Sequence, residues 1–139
     1  MANRLPPSGY ILGLDVGEKR IGAAVASVIA RLPQPLNVVS ADSSALERIA
    51  QLAGQNEVAL IVIGIPRNLE GDETPQSRKI RDFAARLKKQ VDVPIEFADE
   101  SLSSVRADSA GRQLDLRNVS RDSVAACFIL EEFLGTIER

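Results

Sequence analysis

The 139-residue chain has no histidine, no tryptophan and one cysteine, Cys127. Without histidine there is no imidazole to activate a serine or cysteine nucleophile and none to ligate a metal. A single cysteine excludes an internal disulfide and a cysteine-rich zinc site. It lies within the apolar run VAACFIL and reads as a small buried side chain. Aromatic residues make up only 4% of the chain. Phe83, Phe97, Phe128, Phe133 and Tyr10 all look like core residues, which argues against an aromatic platform for stacked bases. No apolar run reaches the length of a transmembrane helix. The opening MANRLPPSGY has no apolar signal region, so the default expectation is a cytoplasmic protein with no membrane partner. The net charge of −2 excludes a generally basic protein that coats a polyanion. Any nucleic-acid contact must rest on local positive charge.

What is present is an alternation of apolar runs and amphipathic segments. Residues 1–9 read as a flexible leader punctuated by Pro6, Pro7, Ser8 and Gly9, and residues 10–139 as a single domain. Tyr10–Val16 is an apolar run with one charge, Asp15, as expected of a central strand covered on both faces. Gly17–Lys19 makes a tight turn into a returning strand, Arg20–Ser27, where Gly22 and the alanines leave room for close packing against the first strand. Leu36–Ser40 is the expected third strand. A helix over 44–54, capped by Ser43 and ended by Gly54, precedes the strand Ala59–Ile65. After the polar segment 66–74, Pro75 opens a helix with Ile80, Phe83, Ala84 and Leu87 on one face. Ile95–Ala98 is a short strand. A helix over 103–110, an irregular stretch over 111–119 and a buried helix over 121–134 capped by Ser120 complete the chain. The order predicts an α/β fold: a mixed five-stranded sheet, three antiparallel strands then parallel ones, with helices on both faces.

Three acids fall where this order would gather them. Asp15 lies near the carboxyl end of the first strand. Asp99 and Glu100 follow the last strand. Asp122 is in the first turn of the last helix. In open α/β sheets ligands collect at the carboxyl ends of parallel strands. Clustered carboxylates are the donor set for Mg²⁺ or Mn²⁺, and two such ions can drive phosphodiester hydrolysis. A charge inside an apolar strand is costly, so Asp15 points to function. Glu100 read alone is equally a loop acid. Asp122 read alone is explained by the helix dipole. Glu18 and Asp99 are outer acids or surface charges.

Four segments together resemble the YqgF/RuvX family of the RNase H-like superfamily, described as pre-16S rRNA nucleases or Holliday-junction resolvase-like proteins. They are GLDVGEKRIGAAVAS, VIGIPRNLEGDETPQS, FADESLSS and RDSVAACFIL. The resemblance spans about residues 10–135. It implies an RNase H-like fold with the Asp15 strand central. It also implies that Asp15, Glu100 and Asp122 are the catalytic, metal-binding acids, with Mg²⁺ or Mn²⁺ as cofactor. Glu18 stands where threonine is usual, Ser101 where arginine is frequent, and Ser103-Ser104 replace a threonine pair. The missing arginine removes a bidentate phosphate partner.

Nucleic acid is expected along the segment after Ile65 and the helix it enters. Arg67, Asn68, Gln76 and Ser77 could meet phosphate at a helix N-terminus. Arg78, Lys79, Arg81, Arg86, Lys88 and Lys89 form a basic face, which is also what a solvated helix face looks like. The leading expectation is a metal-dependent nuclease that processes the 5′ end of pre-16S rRNA in ribosomal precursors, as monomer or homodimer. The alternatives are a Holliday-junction resolvase on branched DNA, which needs a dimer, and a non-catalytic nucleic-acid-binding or transcription-associated module. The DxGxxxxG pattern of Asp15, Gly17 and Gly22 also occurs in two-lobed sugar kinases and actin-like ATPases, but this chain has length for only one lobe.

Overall fold

The computed structural model describes residues 5–66, 74–99 and 121–136. Strands β1 (Tyr10–Val16) and β2 (Arg20–Ser27) form an antiparallel hairpin in which Asp15 pairs with Gly22. β5 (Val58–Ile65) runs parallel to β1, and β6 (Ile95–Asp99) runs parallel to β5. β3 (Gln34–Pro35) and β4 (Val39–Ser40) both pair with β2, giving the order β3-β2-β1-β5-β6 with β4 beside β3 on the β2 edge. Among the described residues the sheet is mixed as expected and has six strands rather than five. The third strand anticipated over 36–40 is split in two. The pieces are Gln34–Pro35, after which the Leu36 N–H still donates to the Ala23 carbonyl at 2.8 Å, and Val39–Ser40, which pairs with Arg20 and Ile21.

Two layers of helix cover the sheet, and strand alternation decides which residue meets which layer. Leu12, Leu14, Ile61 and Ile63 face α1 (Ala45–Gln55) and α2 (Pro75–Lys88), packing with Ile49, Ile80 and Leu87. Ile11, Leu60 and Val62 face α3 (Arg121–Gly135), packing with Ala126, Ile129 and Leu130. β1 is therefore buried on both sides, which its unbroken apolar run required. Leu5 packs against the α3-side cluster. Tyr10 departs from its expected core position. It begins β1 at the sheet end and is 39% exposed.

The helix starts are built by short polar side chains. At α1 the N-cap is Ser44, not Ser43, and the Asp42 carboxylate accepts from the Ser44 N–H (2.9 Å) and hydroxyl (2.6 Å). Those two bonds, the hydroxyl first, hold the Asp42 carboxyl below its ordinary pKa. Gly54 lies within α1, which ends at Gln55 with Asn56 as C-cap. At α2 the Thr74 hydroxyl accepts from the Ser77 N–H (3.1 Å), and the Ser77 hydroxyl accepts from the Thr74 N–H (2.7 Å). This is a reciprocal capping box followed by Pro75 in the first turn. The segments expected over 103–110 and 111–119, and Ser120 as a cap, lie outside the described residues.

Candidate functional site

The carboxyl ends of β1, β5 and β6 reach one edge of the sheet because the three strands are parallel. Asp15 sits one residue from the end of β1, and Asp99 ends β6 in register with Ile65. β6 lies two strand spacings from β1, about 10 Å. Asp99 is exposed. Alternation sends Asp15 to the same side as Ile11, the side covered by α3, while Val16 turns to the other.

What carries α3 to this edge is Gly22. Its Cα pairs with that of Asp15, and a methyl group on it would overlap the Asp122 carbonyl and lie 2.9 Å from Ser123 N. The helix backbone at Asp122 thus rests directly on β2, one glycine away from Asp15. Sequence reasoning assigned this room to packing between β1 and β2, but the last helix fills it. Gly22, Ala24 and Ala26 alternate along one strand face, which is the pattern that lets a helix come close. Ser123, fully buried, fixes the contact. Its hydroxyl donates to the Leu36 carbonyl at 2.7 Å and accepts from the Ala23 N–H at 3.5 Å.

Arg20, which the sequence reading did not single out, completes this corner. It starts β2 two residues before Gly22, on the same face, and its Nε lies 3.0 Å from Asp122 Oδ2. The Arg20 side chain is 64% exposed and that of Asp122 34%. Asp122 and, on the neighbouring strand, Asp15 bring hard oxygen donors to one corner. That chemistry fits Mg²⁺ or Mn²⁺. Asp15 and Asp122 would supply two of the ligands. Glu100 lies outside the described residues, and among those described no three acidic or cysteine side chains cluster as a metal site.

The expected nucleic-acid contacts divide. Arg67 and Asn68 lie outside the described residues. Gln76, Arg78 and Lys79 are exposed on α2. Ser77 is 1% exposed, and its hydroxyl also donates to the Thr74 carbonyl at 2.8 Å. That hydroxyl closes the cap and is not presented to a ligand. Gln76 and Lys79 line a cleft of about 800 Å³ with Val16, Gly17 and Glu18, so the N-terminus of α2 meets the Asp15 edge. The cleft opens on the α1–α2 side of the sheet, opposite the face that carries Asp15. Lys88 lies some 15–20 Å farther along α2. Two of the other cations have local partners: Arg86 pairs with Asp82 at 3.2 Å, and Arg81 lies 5.0 Å above the Phe97 ring. Cys127 is half-buried, and burial first, then the Glu131 charge, pushes its thiol up to about 12. It stays protonated at neutral pH and is no nucleophile.

The sequence profile described as "RuvX: Holliday junction resolvase" matches residues 9–136. The chain belongs to the RuvX family. Its relatives include the "Putative pre-16S rRNA nuclease" of Ruegeria pomeroyi, 38% identical over 99% of this chain and 92% of that protein. The protein of the same name from Roseiflexus is 37% identical over 92% and 95%. This RuvX-family chain also shares its fold with Thermus thermophilus RuvC, solved in complex with a Holliday junction (TM-score 0.59, 12% identity, 92% of this chain and 95% of that one). The fowlpox virus Holliday junction resolvase is similar in the same way (TM-score 0.59, 12% identity, 92% and 99%). The fold is thus the RuvC-like, RNase H-like one that the resemblance implied. Among the described residues no helix is long and apolar enough to cross a membrane.

Proposed function

We propose that this chain is a divalent-metal-dependent nuclease that cuts structured RNA, processing the 5′ end of pre-16S rRNA. The observation that carries the reading is the junction of Asp15, Gly22 and Asp122. Two acidic residues 107 positions apart in sequence meet at one glycine at the ligand-binding edge of the sheet, Asp15 as its strand partner and Asp122 through its backbone. The names of the RuvX relatives, which span nearly the whole chain, support RNA as substrate.

Asp15, Asp122 and, by the resemblance, Glu100 would hold Mg²⁺ or Mn²⁺. The metal, when bound, polarises the scissile phosphate and lowers the pKa of a water. The chain's own part is placement. β1 holds Asp15 rigidly because both its faces are packed. Ser123 ties the start of α3 to β2 and to Leu36, so Asp122 cannot drift from Asp15. The strand leaving the cut passes over the β1–β2 turn towards Gln76, Arg78 and Lys79; Arg67 and Asn68 are added by the sequence alone. Ser77 serves that end of α2 through its cap. Phe83 lines the cleft with Gln76 and Lys79 but is packed against the core rather than presented as a stacking platform, so recognition rests on backbone charge and shape.

A Holliday-junction resolvase is the second reading, favoured by the family's description. Both readings use the same acids. They separate when a labelled pre-16S rRNA fragment and a four-way DNA junction are incubated side by side with Mg²⁺ or Mn²⁺. RNA cutting that vanishes with EDTA is the expected result. Cutting of the junction alone would transfer the assignment to a resolvase acting as a dimer. Binding to either without any product would leave a non-catalytic module.

A further inference from the structure

We propose that Arg20 is an internal counter-ion that competes with the divalent cation for Asp122, and that metal binding releases its guanidinium to the substrate phosphate. The inference rests on the nuclease reading and adds a residue to it. Asp15 and Asp122 meet at Gly22, and like charges brought towards one another disfavour the charged state of both. Arg20, on the same strand face, answers that charge through its 3.0 Å contact with Asp122 Oδ2. The contact is made by Nε, at one edge of the guanidinium, and the side chain is 64% exposed. Such a pair is weakly held, because water and salt screen an exposed ion pair. A divalent cation brings twice the charge to the same oxygen and repels the guanidinium beside it. An arginine displaced by a short rotation stays at the sheet edge, where its planar donors match a phosphate.

The alternative is that Arg20 simply positions Asp122 for the metal, and the two roles predict opposite signs. Mn²⁺ is titrated calorimetrically into metal-free wild type, Arg20→Ala and Arg20→Lys at low ionic strength. Competition predicts that Arg20→Ala binds Mn²⁺ about fivefold tighter, with the advantage shrinking in high salt because screening weakens the displaced pair. Arg20→Lys, which retains the charge, stays near wild type. Weaker or unchanged Mn²⁺ binding by Arg20→Ala overturns the proposal and leaves the nuclease reading standing. Absence of Mn²⁺ binding by the wild type overturns both. A second readout uses Ca²⁺ to hold a structured pre-16S rRNA fragment uncut. There Arg20→Ala should bind the RNA about tenfold more weakly than wild type. Equal RNA affinity would overturn the transfer to phosphate, while the metal titration alone decides the competition.

Discussion

Replacing Asp15 by Asn is expected to reduce metal-dependent cleavage of structured RNA by about a thousandfold or more while leaving the fold intact. The substitution keeps shape and hydrogen-bonding capacity and removes one charge. Metal ions stabilise several kcal/mol of developing charge in phosphoryl chemistry, and about 4 kcal/mol corresponds to three powers of ten in rate. Losing the ligand in the middle of the sheet forfeits most of that. Folding should not suffer. An amide in this apolar strand is easier to desolvate than a carboxylate, and the like-charge neighbour Asp122 is relieved. The melting temperature of the metal-free variant should therefore stay within about 3 °C of wild type or rise. The rise in melting temperature that Mn²⁺ gives the wild type should vanish in the variant. A variant that cuts at the wild-type rate would remove the carboxylate site from the account.

The second large effect is expected at Gly22, which has no chemistry of its own. Gly22→Ala puts a methyl group into the Asp122 carbonyl, and its neighbours there are backbone atoms, which cannot rotate away as a side-chain tip would. Either α3 lifts from β2 or β2 bends. Overpacking of this kind costs roughly 1–3 kcal/mol, a fall of about 5–10 °C in melting temperature. The catalytic loss should be out of proportion to that. A shift of about 1 Å between catalytic groups can cost a hundredfold in rate. The folded fraction, measured by circular dichroism at the assay temperature, should remain high while cleavage drops about a hundredfold. Gly54→Ala is the matched control. It lies inside α1 with nothing within 4 Å of the added methyl, and should raise stability by about 0.5–1 kcal/mol without touching cleavage. If Gly22→Ala cuts as well as Gly54→Ala, the close approach of α3 does not set the site.

These two variants mark what local patterning reveals. Asp15 stands out in the sequence because a lone charge in an unbroken apolar run is costly unless it is compensated. Asp122 does not, since an acid in the first turn of a helix is favourable wherever that helix goes. Ser77 misled because a serine beside a helix N-terminus serves a cap or a phosphate equally well. Only its burial and its bonds with Thr74 tell the two apart. Arg20 passed unnoticed because an arginine after a turn is ordinary, and its contact with Asp122 spans 102 residues.

The sequence by itself determined the elements, their alternation, the family and the acid in the central strand, because those depend on periodicity and on the cost of burying charge. The tertiary structure decided the rest: that the third strand comes as two short pieces, and that α3 descends on the Asp15 side of the sheet while α1 and α2 take the other. It also decided that a glycine contact and an arginine across the sheet edge make one corner of Asp15 and Asp122. Those facts rest on steric fit between segments far apart in the chain, and no local rule of residue spacing encodes it.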